Sequence, residues 1–415
     1  MPAARVVVTG FGMVTPLGLD TASSWEGLVA GRSGIGPVTA FDTAGFACRV
    51  AAEVKDFDVG IHGIEPREAR RMDRYIQFGL AAALEAVRDA GLSVPVPEPE
   101  RTGVYIGSGM GGLITLTQQY DVLRERGPGR VSPLLVPMLI PDMASGQTSI
   151  TLGAQGPNLG IVSACATGAH SIGEAAELIK RGGADVMVAG GAEAVITPIA
   201  MAGFSAVRAL TTRNDDPPAA SRPFDRDRDG FILGEGAGVL VLERLEYARS
   251  RGAHIYAELA GYGSSADAHH LTAPPEDGYG AVRCMRQAIE SADLRPHDVD
   301  YVNAHGTSTP LNDKAETAAL RTALGDHAFR VPVSSTKSMI GHSLGAAGGI
   351  EAVICVKAIQ TGVIPPTINY QHSDPDCDLD YVPNAARKVS VRAAMSNSFG
   401  FGGHNAALLL TAHER

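Results

Sequence analysis

Residues 161–183 read IVSACATGAHSIGEAAELIKRGG. An apolar entry leads through small residues to Cys165, and a small-residue helical run then closes on Gly182-Gly183 ahead of the β-branched stretch 185–189, DVMVA. Strand, reactive residue, helix and strand form the rhythm of an α/β layered structure. The order recurs later in the chain. Shifted by 177 positions, Gly168-Ala169 falls on Gly345-Ala346, Glu174-Ala175 on Glu351-Ala352, Lys180 on Lys357, and Cys165 on His342. Two small-residue helices, each entered through a polar reactive residue, indicate an internal duplication that sets the helix starts side by side about a pseudo-twofold axis.

Outward from this core, the runs 5–9 (RVVVT), 103–106 (GVYI) and 238–242 (GVLVL) predict further buried strands. A helix is expected from Pro66 to Ala90-Gly91, with Met72, Tyr75, Ile76, Leu80, Leu84 and Val87 on one face. Arg67, Arg70, Arg71 and Arg74 line another face at i, i+3, i+4 and i+7, a spacing that suits an acidic partner. The halves are expected to divide near Arg251-Gly252, giving residues 1–252 with the nucleophile and 253–415 with both candidate histidines.

Composition narrows the function classes. In 415 residues, 45% hydrophobic and 19% charged content excludes a disordered or collagen-like chain. The net charge of −10 argues against nucleic-acid binding. Cys48, Cys165, Cys284, Cys355 and Cys377 are odd in number and form no CxxC, which suits reduced thiols rather than a disulfide frame or zinc site. No apolar run long enough to span a bilayer is expected, and Gly10 and Gly12 interrupt the N-terminus before a signal core, so a cytoplasmic protein without membrane contact is expected. The 49 glycines point to close backbone approaches.

Three motifs imitate other chemistries. Gly107–Gly112 (GSGMGG) fits a dinucleotide fingerprint, but no second strand ending in an acid succeeds it, so close helix–strand packing is expected. Asp225, Asp227 and Asp229 imitate a calcium loop whose twelfth place is Gly236, and a charged surface turn is expected instead. His269-His270 lacks partners at metal spacing and is expected to be structural or at the rim of a site.

The chemistry concentrates elsewhere. Cys165 at a helix start feels the helix dipole and nearby N–H donors, which favour thiolate, while Ala164, Ala166 and Gly168 leave space around sulfur. His305 lies in NAHGTSTP (303–310), after the short strand VDYV, and His342 lies in SSTKSMIGHSLGAAGG (334–349) with Lys337 nearby. The stretch NSFGFGGHN (397–405) is a glycine-hinged loop whose N–H groups suit an oxyanion, with Phe401 between glycines as a movable gate. One thiol and two imidazoles suit decarboxylative carbon–carbon bond formation, in which the thiol holds an acyl group and neutral ring N–H groups steady an enolate.

VSACATG, NAHGTSTP, SSTKSMIGHSLGAAG and NSFGFGG, in that order, with SRPFDRDRDGF and LGEGAGVLVLE, resemble the β-ketoacyl-[acyl-carrier-protein] synthases, particularly the synthase II type of fatty-acid elongation. The resemblance covers essentially the whole chain. It implies a thiolase-like α/β fold, two duplicated halves in five αβαβα layers, and a homodimer. It also implies an acyltransferase that condenses an acyl thioester with malonyl-carrier protein through an acyl-cysteine. By resemblance Cys165 is the nucleophile, His305 and His342 promote decarboxylation, and Lys337 and Glu351 support them. Likewise by resemblance, the N–H groups of Cys165 and Phe401 form the oxyanion hole, Thr307 and Thr309 contact the pantetheine arm, and Met110 lines the acyl pocket. Arg67, Arg70, Arg71, Arg130 and Arg208 then receive the acidic acyl carrier protein in its acyl- and malonyl-loaded forms. No metal or resident cofactor is implied, since phosphopantetheine arrives on the carrier.

Gly129, where a basic residue is common, and His404, where threonine is common, depart from the pattern. A polyketide or other specialised ketosynthase of the same mechanism is the alternative. A thiolase needs a second cysteine in the final glycine-rich motif, a synthase III-type enzyme needs asparagine in place of His342, and a noncatalytic chain-length partner normally lacks the nucleophile.

Overall fold

The computed structural model describes residues 4–413. The ten-stranded sheet takes five strands from the first half of the chain: β1 (Val6–Val14), β2 (Thr102–Gly107), β3 (Asn158–Leu159), β4 (Val186–Glu193) and β5 (Gly236–Arg244). Five more come from the second: β6 (Ala257–Ala266), β7 (Tyr301–Asn303), β8 (Val333–Ser334), β9 (Ala393–Gly400) and β10 (His404–Thr411). The four strands expected from β-branched runs are all present and longer than those runs. Valine, methionine and small residues dominate β1 and β4 without polar alternation, as strands covered on both faces require, and every residue of both is buried.

Each half repeats one topology. The first lies in the order β3-β2-β4-β5-β1 and the second in the order β8-β7-β9-β10-β6. In both, the first three strands of that order run parallel and the next two antiparallel. The halves join where Val7 pairs with Glu258 and Val8 with Ala257. Outside the first sheet lie α1 (Arg74–Asp89) and α2 (Met143–Leu152), and between the sheets lies α3 (Thr167–Lys180). Outside the second sheet lie α4 (Tyr279–Ser291) and α5 (Pro310–Leu324), and α6 (Ala347–Thr361) completes the middle layer. Separate apolar clusters fill the two outer interfaces, while the central one mixes Ile172 and Ile179 of α3 with Ile350 and Ile354 of α6 and residues of both sheets. This is the five-layered thiolase-like fold.

The helix register of the duplication differs from the expected one. A 3-10 turn precedes each middle helix, over Ala164–Ala166 and over Leu344–Ala346, and its first residue is left-handed in both, Ala164 at φ 51 and Leu344 at φ 46. The structural offset is therefore 344 − 164 = 180, which sets Cys165 against Gly345, whereas alanine-rich identities had favoured 177. With this register, Gly168 and Gly348 are equivalent and their backbones abut. A Cβ on Gly168 would lie 2.6 Å from the Gly349 nitrogen, and one on Gly348 would lie 2.5 Å from the Ala169 nitrogen.

Three other expectations are corrected. The Pro66 helix is one turn, Pro66–Ala69, and α1 begins anew where the Asp73 carboxylate caps Tyr75 N–H. Arg67, Arg70 and Arg71 stay exposed, whereas Arg74 turns inward to Glu235 at 2.8 Å. Residues 344–361 do form an apolar 18-residue helical stretch long enough for a membrane, but 78% of it is buried because it is the middle layer. Asp225 is no surface group. It is buried, and its carboxylate accepts N–H bonds from Asp227, Gln371 and His372.

Gly168→Ala is expected to push the two middle helices apart and lower the urea unfolding midpoint, a loss of about 1–3 kcal/mol for overpacking a tight contact. An unchanged midpoint would show slack between these helices.

Candidate active site

The fold converts two chain-distant turns into neighbours. Cys165 sits in the 3-10 turn before α3 and is 7% exposed. His342 comes from the segment before α6, held by its N–H donating to the Ile232 carbonyl at 2.7 Å while its own carbonyl accepts from Gly234 N–H at 2.9 Å. His305 comes just after β7, and the buried Glu316 carboxylate of α5 accepts the N–H groups of His305 and Gly306 at 2.8 and 2.7 Å. Reactive atoms of Cys165, His305 and His342 all lie within 4.8 Å of one another. The rings of His305 and His342 meet edge to face, with centroids 5.3 Å apart. Both ring nitrogens of His342 and Nδ1 of His305 find no hydrogen-bond partner among the described residues, an arrangement buried polar atoms rarely adopt unless a ligand uses them.

The trio opens into a cavity of about 320 Å³ that Thr307, Thr309, Phe399, Phe401 and Arg208 also line. The Thr307 and Thr309 hydroxyls are 3.0 Å apart. Buried Arg228 donates to the Thr309 and Pro310 carbonyls and so anchors this lip of the cavity to Asp374. Phe401 tops a hairpin in which β9 turns into β10, with Gly402 and Gly403 at φ 84 and 75, values that an L side chain resists. The backbone N–H groups of Phe401 and of Cys165 itself both act to favour the Cys165 thiolate. His270 lines the same cavity, its Nδ1 accepting from Thr272 and Ala273 N–H.

Lys337 and Glu351 lie behind the histidines, fully buried and ion-paired. Burial drives the pKa of His305 and of His342 well below the usual imidazole value, and the Lys337 charge adds to the effect, so both rings are neutral. Burial raises the Glu351 carboxyl, and Lys337 opposes it. The expected depression of the Cys165 pKa is not the resting condition. Burial pushes that thiol up to about 11, against the opposing pull of the Phe401 N–H, Lys337 and its own N–H. The dipole of α3 acts on a sulfur that water hardly reaches, so loss of hydration outweighs it.

Several expected residues lie outside this trio. Met110 is 39% exposed and does not line the cavity, its N–H bonded to Glu193. Arg67, Arg70, Arg71 and Arg130 are surface residues, and Arg208 alone of the five arginines reaches the cavity. His404 is exposed beside the hairpin turn. Gly107 of the apparent dinucleotide motif packs against the Ile161 carbonyl and Thr167, as close helix–strand contact requires. Asp225, Asp227 and His372 form the second cluster of metal-type ligand atoms besides Cys165, His305 and His342, but backbone N–H groups already engage the Asp225 oxygens. Glu316 and Glu193 escaped the sequence reading, as did the hold that Ile232 and Gly234 have on His342. A glutamate ending the apolar run of β4, and another on the alanine-rich face of α5, were the available signals.

A thiol and two uncharged imidazoles converging under a pair of N–H donors, in a duplicated thiolase-like fold, define a carbon–carbon bond-forming acyltransferase. The comparisons are specific. Residues 3–248 match the β-ketoacyl synthase N-terminal domain and residues 256–371 its C-terminal domain, so the chain belongs to the β-ketoacyl synthase family. It is 52% identical over 410 residues to 3-oxoacyl-[acyl-carrier-protein] synthase 2 of Synechocystis sp., covering 99% of this chain and 98% of that one. The ishigamide ketosynthase/chain length factor superposes with TM-score 0.93 at 40% identity, covering 99% and 100% of the two chains. A type II polyketide ketosynthase solved in complex with its acyl-carrier protein superposes with TM-score 0.90 at 36% identity, again over 99% and 100%.

The two histidines carry a pH signature. Their folded pKa lies below the unfolded value of about 6.5, so the stability they contribute is present above that pH and is lost as pH falls below it. Urea midpoints are expected to drop below about pH 6.5, and less steeply in the His305→Asn, His342→Asn double variant.

Proposed function

We propose that this protein is a β-ketoacyl-[acyl-carrier-protein] synthase of fatty-acid elongation, and that Cys165, His305 and His342 perform the decarboxylative Claisen condensation. The observation that carries this reading is the meeting of one thiol with two neutral imidazoles within 4.8 Å. In the first half-reaction, the Cys165 sulfur attacks the carbonyl carbon of an acyl thioester. Its proton passes to a neighbouring imidazole, and the oxyanion rests on the N–H groups of Cys165 and Phe401. Collapse breaks the bond to the carrier's thiol, which leaves with that proton.

In the second half-reaction the malonyl thioester loses CO2, and the electron pair of the broken bond becomes an enolate. N–H groups of His305 and His342 hold the enolate oxygen, which a protonated ring would instead be prone to quench. The enolate carbon attacks the acyl-cysteine carbonyl, the carbon–sulfur bond breaks, and the departing Cys165 thiolate takes up a proton from solvent, since its original proton left with the carrier's thiol. Burial keeps the rings uncharged, the charge of Lys337, paired with Glu351, adds to that effect, and the same charge favours the departing thiolate. Identity of 52% to the synthase 2 relative, against 40% and 36% to the polyketide-type structures, favours fatty-acid elongation over a polyketide role.

In this reading the protein needs no cofactor of its own, because pantetheine comes with acyl carrier protein and passes Thr307 and Thr309. Arg67, Arg70, Arg71, Arg130 and Arg208 form the basic surface for that acidic carrier. The molecule is a homodimer acting in the cytoplasm, with residues 1–252 and 253–415 as its two halves. The exposed edge strand β3 and the exposed Leu116, Tyr120, Leu123 and Leu159 supply an apolar face for the second copy.

Cys165→Ala is expected to abolish acyl transfer and condensation, with no acyl adduct by intact mass, while malonyl decarboxylation persists. Full condensation by that variant would refute the assignment. Reversing Arg70 and Arg71 to glutamate is expected to raise KM for carrier-bound substrate about tenfold or more, and for a pantetheine analogue much less. Equal changes for both substrates would remove these arginines from docking.

A further inference from the structure

His170 lies on α3, one helical turn beyond the nucleophile, and its ring is buried between the two halves. Nδ1 is 2.7 Å from the Ser163 hydroxyl, and Nε2 is 3.1 Å from the Ser264 hydroxyl on β6. Ser264 is in turn paired with Ala406 of β10, just past the Phe401 hairpin. Burial holds its pKa down to about 4, so it is neutral, with one donor and one acceptor nitrogen for the two hydroxyls.

Ser163 immediately precedes a strained residue. Ala164 is left-handed at φ 51, a conformation a Cβ disfavours, and the turn that carries Cys165 keeps this shape only if its surroundings impose it. Thr167 Oγ1 accepts the Ser163 N–H at 2.8 Å and ties the turn to its own helix. The Ser163 side chain makes the other tie, through His170, to the sheet of the second half.

We infer that His170 is a positioning residue for the nucleophile: through Ser163 it fixes the Cys165 turn against β6 and the Phe401 hairpin, so that sulfur and the oxyanion-hole N–H groups present themselves together to the thioester. This rests on the condensing reaction proposed for the site and adds a residue that touches neither substrate nor the imidazole pair. Its effect falls on acyl transfer to sulfur, because decarboxylation depends on His305 and His342.

The test measures both half-reactions separately in intact enzyme: acylation of Cys165 from acyl-carrier protein by intact mass, and CO2 release from malonyl-carrier protein. His170→Ala is expected to slow acylation about 100-fold, the effect of a misplacement near 1 Å, while decarboxylation falls by less than about threefold. His170→Asn, whose amide reaches the place of Nδ1, is expected to recover most of the acylation rate. Ser163→Ala, which removes only a hydroxyl, is expected to reproduce the His170→Ala split even where the histidine variant is poorly folded. An equal fall in both half-reactions, or no rescue by asparagine, overturns the inference. Failure of the condensing reading would show differently, as a wild-type enzyme that acylates no cysteine.

Discussion

The structure depends on one close approach, that of two helix backbones at the centre of the molecule. Gly168 of α3 and Gly348 of α6 leave no room for a single Cβ, and the surrounding Ala169, Ala346 and Ala347 are nearly as small. Because the helices touch backbone to backbone, the turns that precede them bring a cysteine from one half and a histidine from the other into one cavity. Larger side chains would hold these elements at the spacing of ordinary packed helices and separate sulfur from imidazole. Glycine abundance along the chain thus has a chemical consequence.

Burial results from that approach and sets the electrostatics. A site sealed between two sheets offers little water, so thiol and imidazoles all rest in their neutral forms. For the rings this suits the proposed condensation, in which a neutral imidazole keeps the N–H that an enolate oxygen needs. For the sulfur it is a cost that the Phe401 N–H, the Cys165 N–H and the Lys337 charge partly offset. One buried lysine therefore acts on three reactive groups, favouring the anion on sulfur and disfavouring the cation on each ring. The Lys337–Glu351 pair is deep enough that solvent screens it little.

Much of the fold and of the site was legible along the chain. Apolar runs marked β1, β2, β4 and β5, and the candidate reactive residues stood out because Cys165, His305 and His342 each lie in a stretch of small and polar residues rich in glycine, serine or threonine. Local pattern failed where a distant partner decides the outcome. Arg74 shares a helical face with Arg67, Arg70 and Arg71 by spacing alone, but Glu235 draws it inward and Asp73 restarts the helix. Asp225 looked like a surface acid because its three N–H donors come from a neighbouring residue and from a segment far along the chain. The duplication was visible, but its register was off by three residues because alanine matches alanine at many offsets, whereas only backbone dihedrals mark the left-handed Ala164 and Leu344.

The sequence by itself determined the main strands, the duplicated α/β architecture and which three residues are proposed as the reactive trio, because these depend on short-range periodicity and on residue types that few other chemistries require. The tertiary structure alone decided the separation of those three groups, their protonation, and the supports from Glu316, Ile232–Gly234 and His170. Those properties arise from desolvation and from contacts between residues tens to hundreds of positions apart, and neither quantity is a function of local sequence.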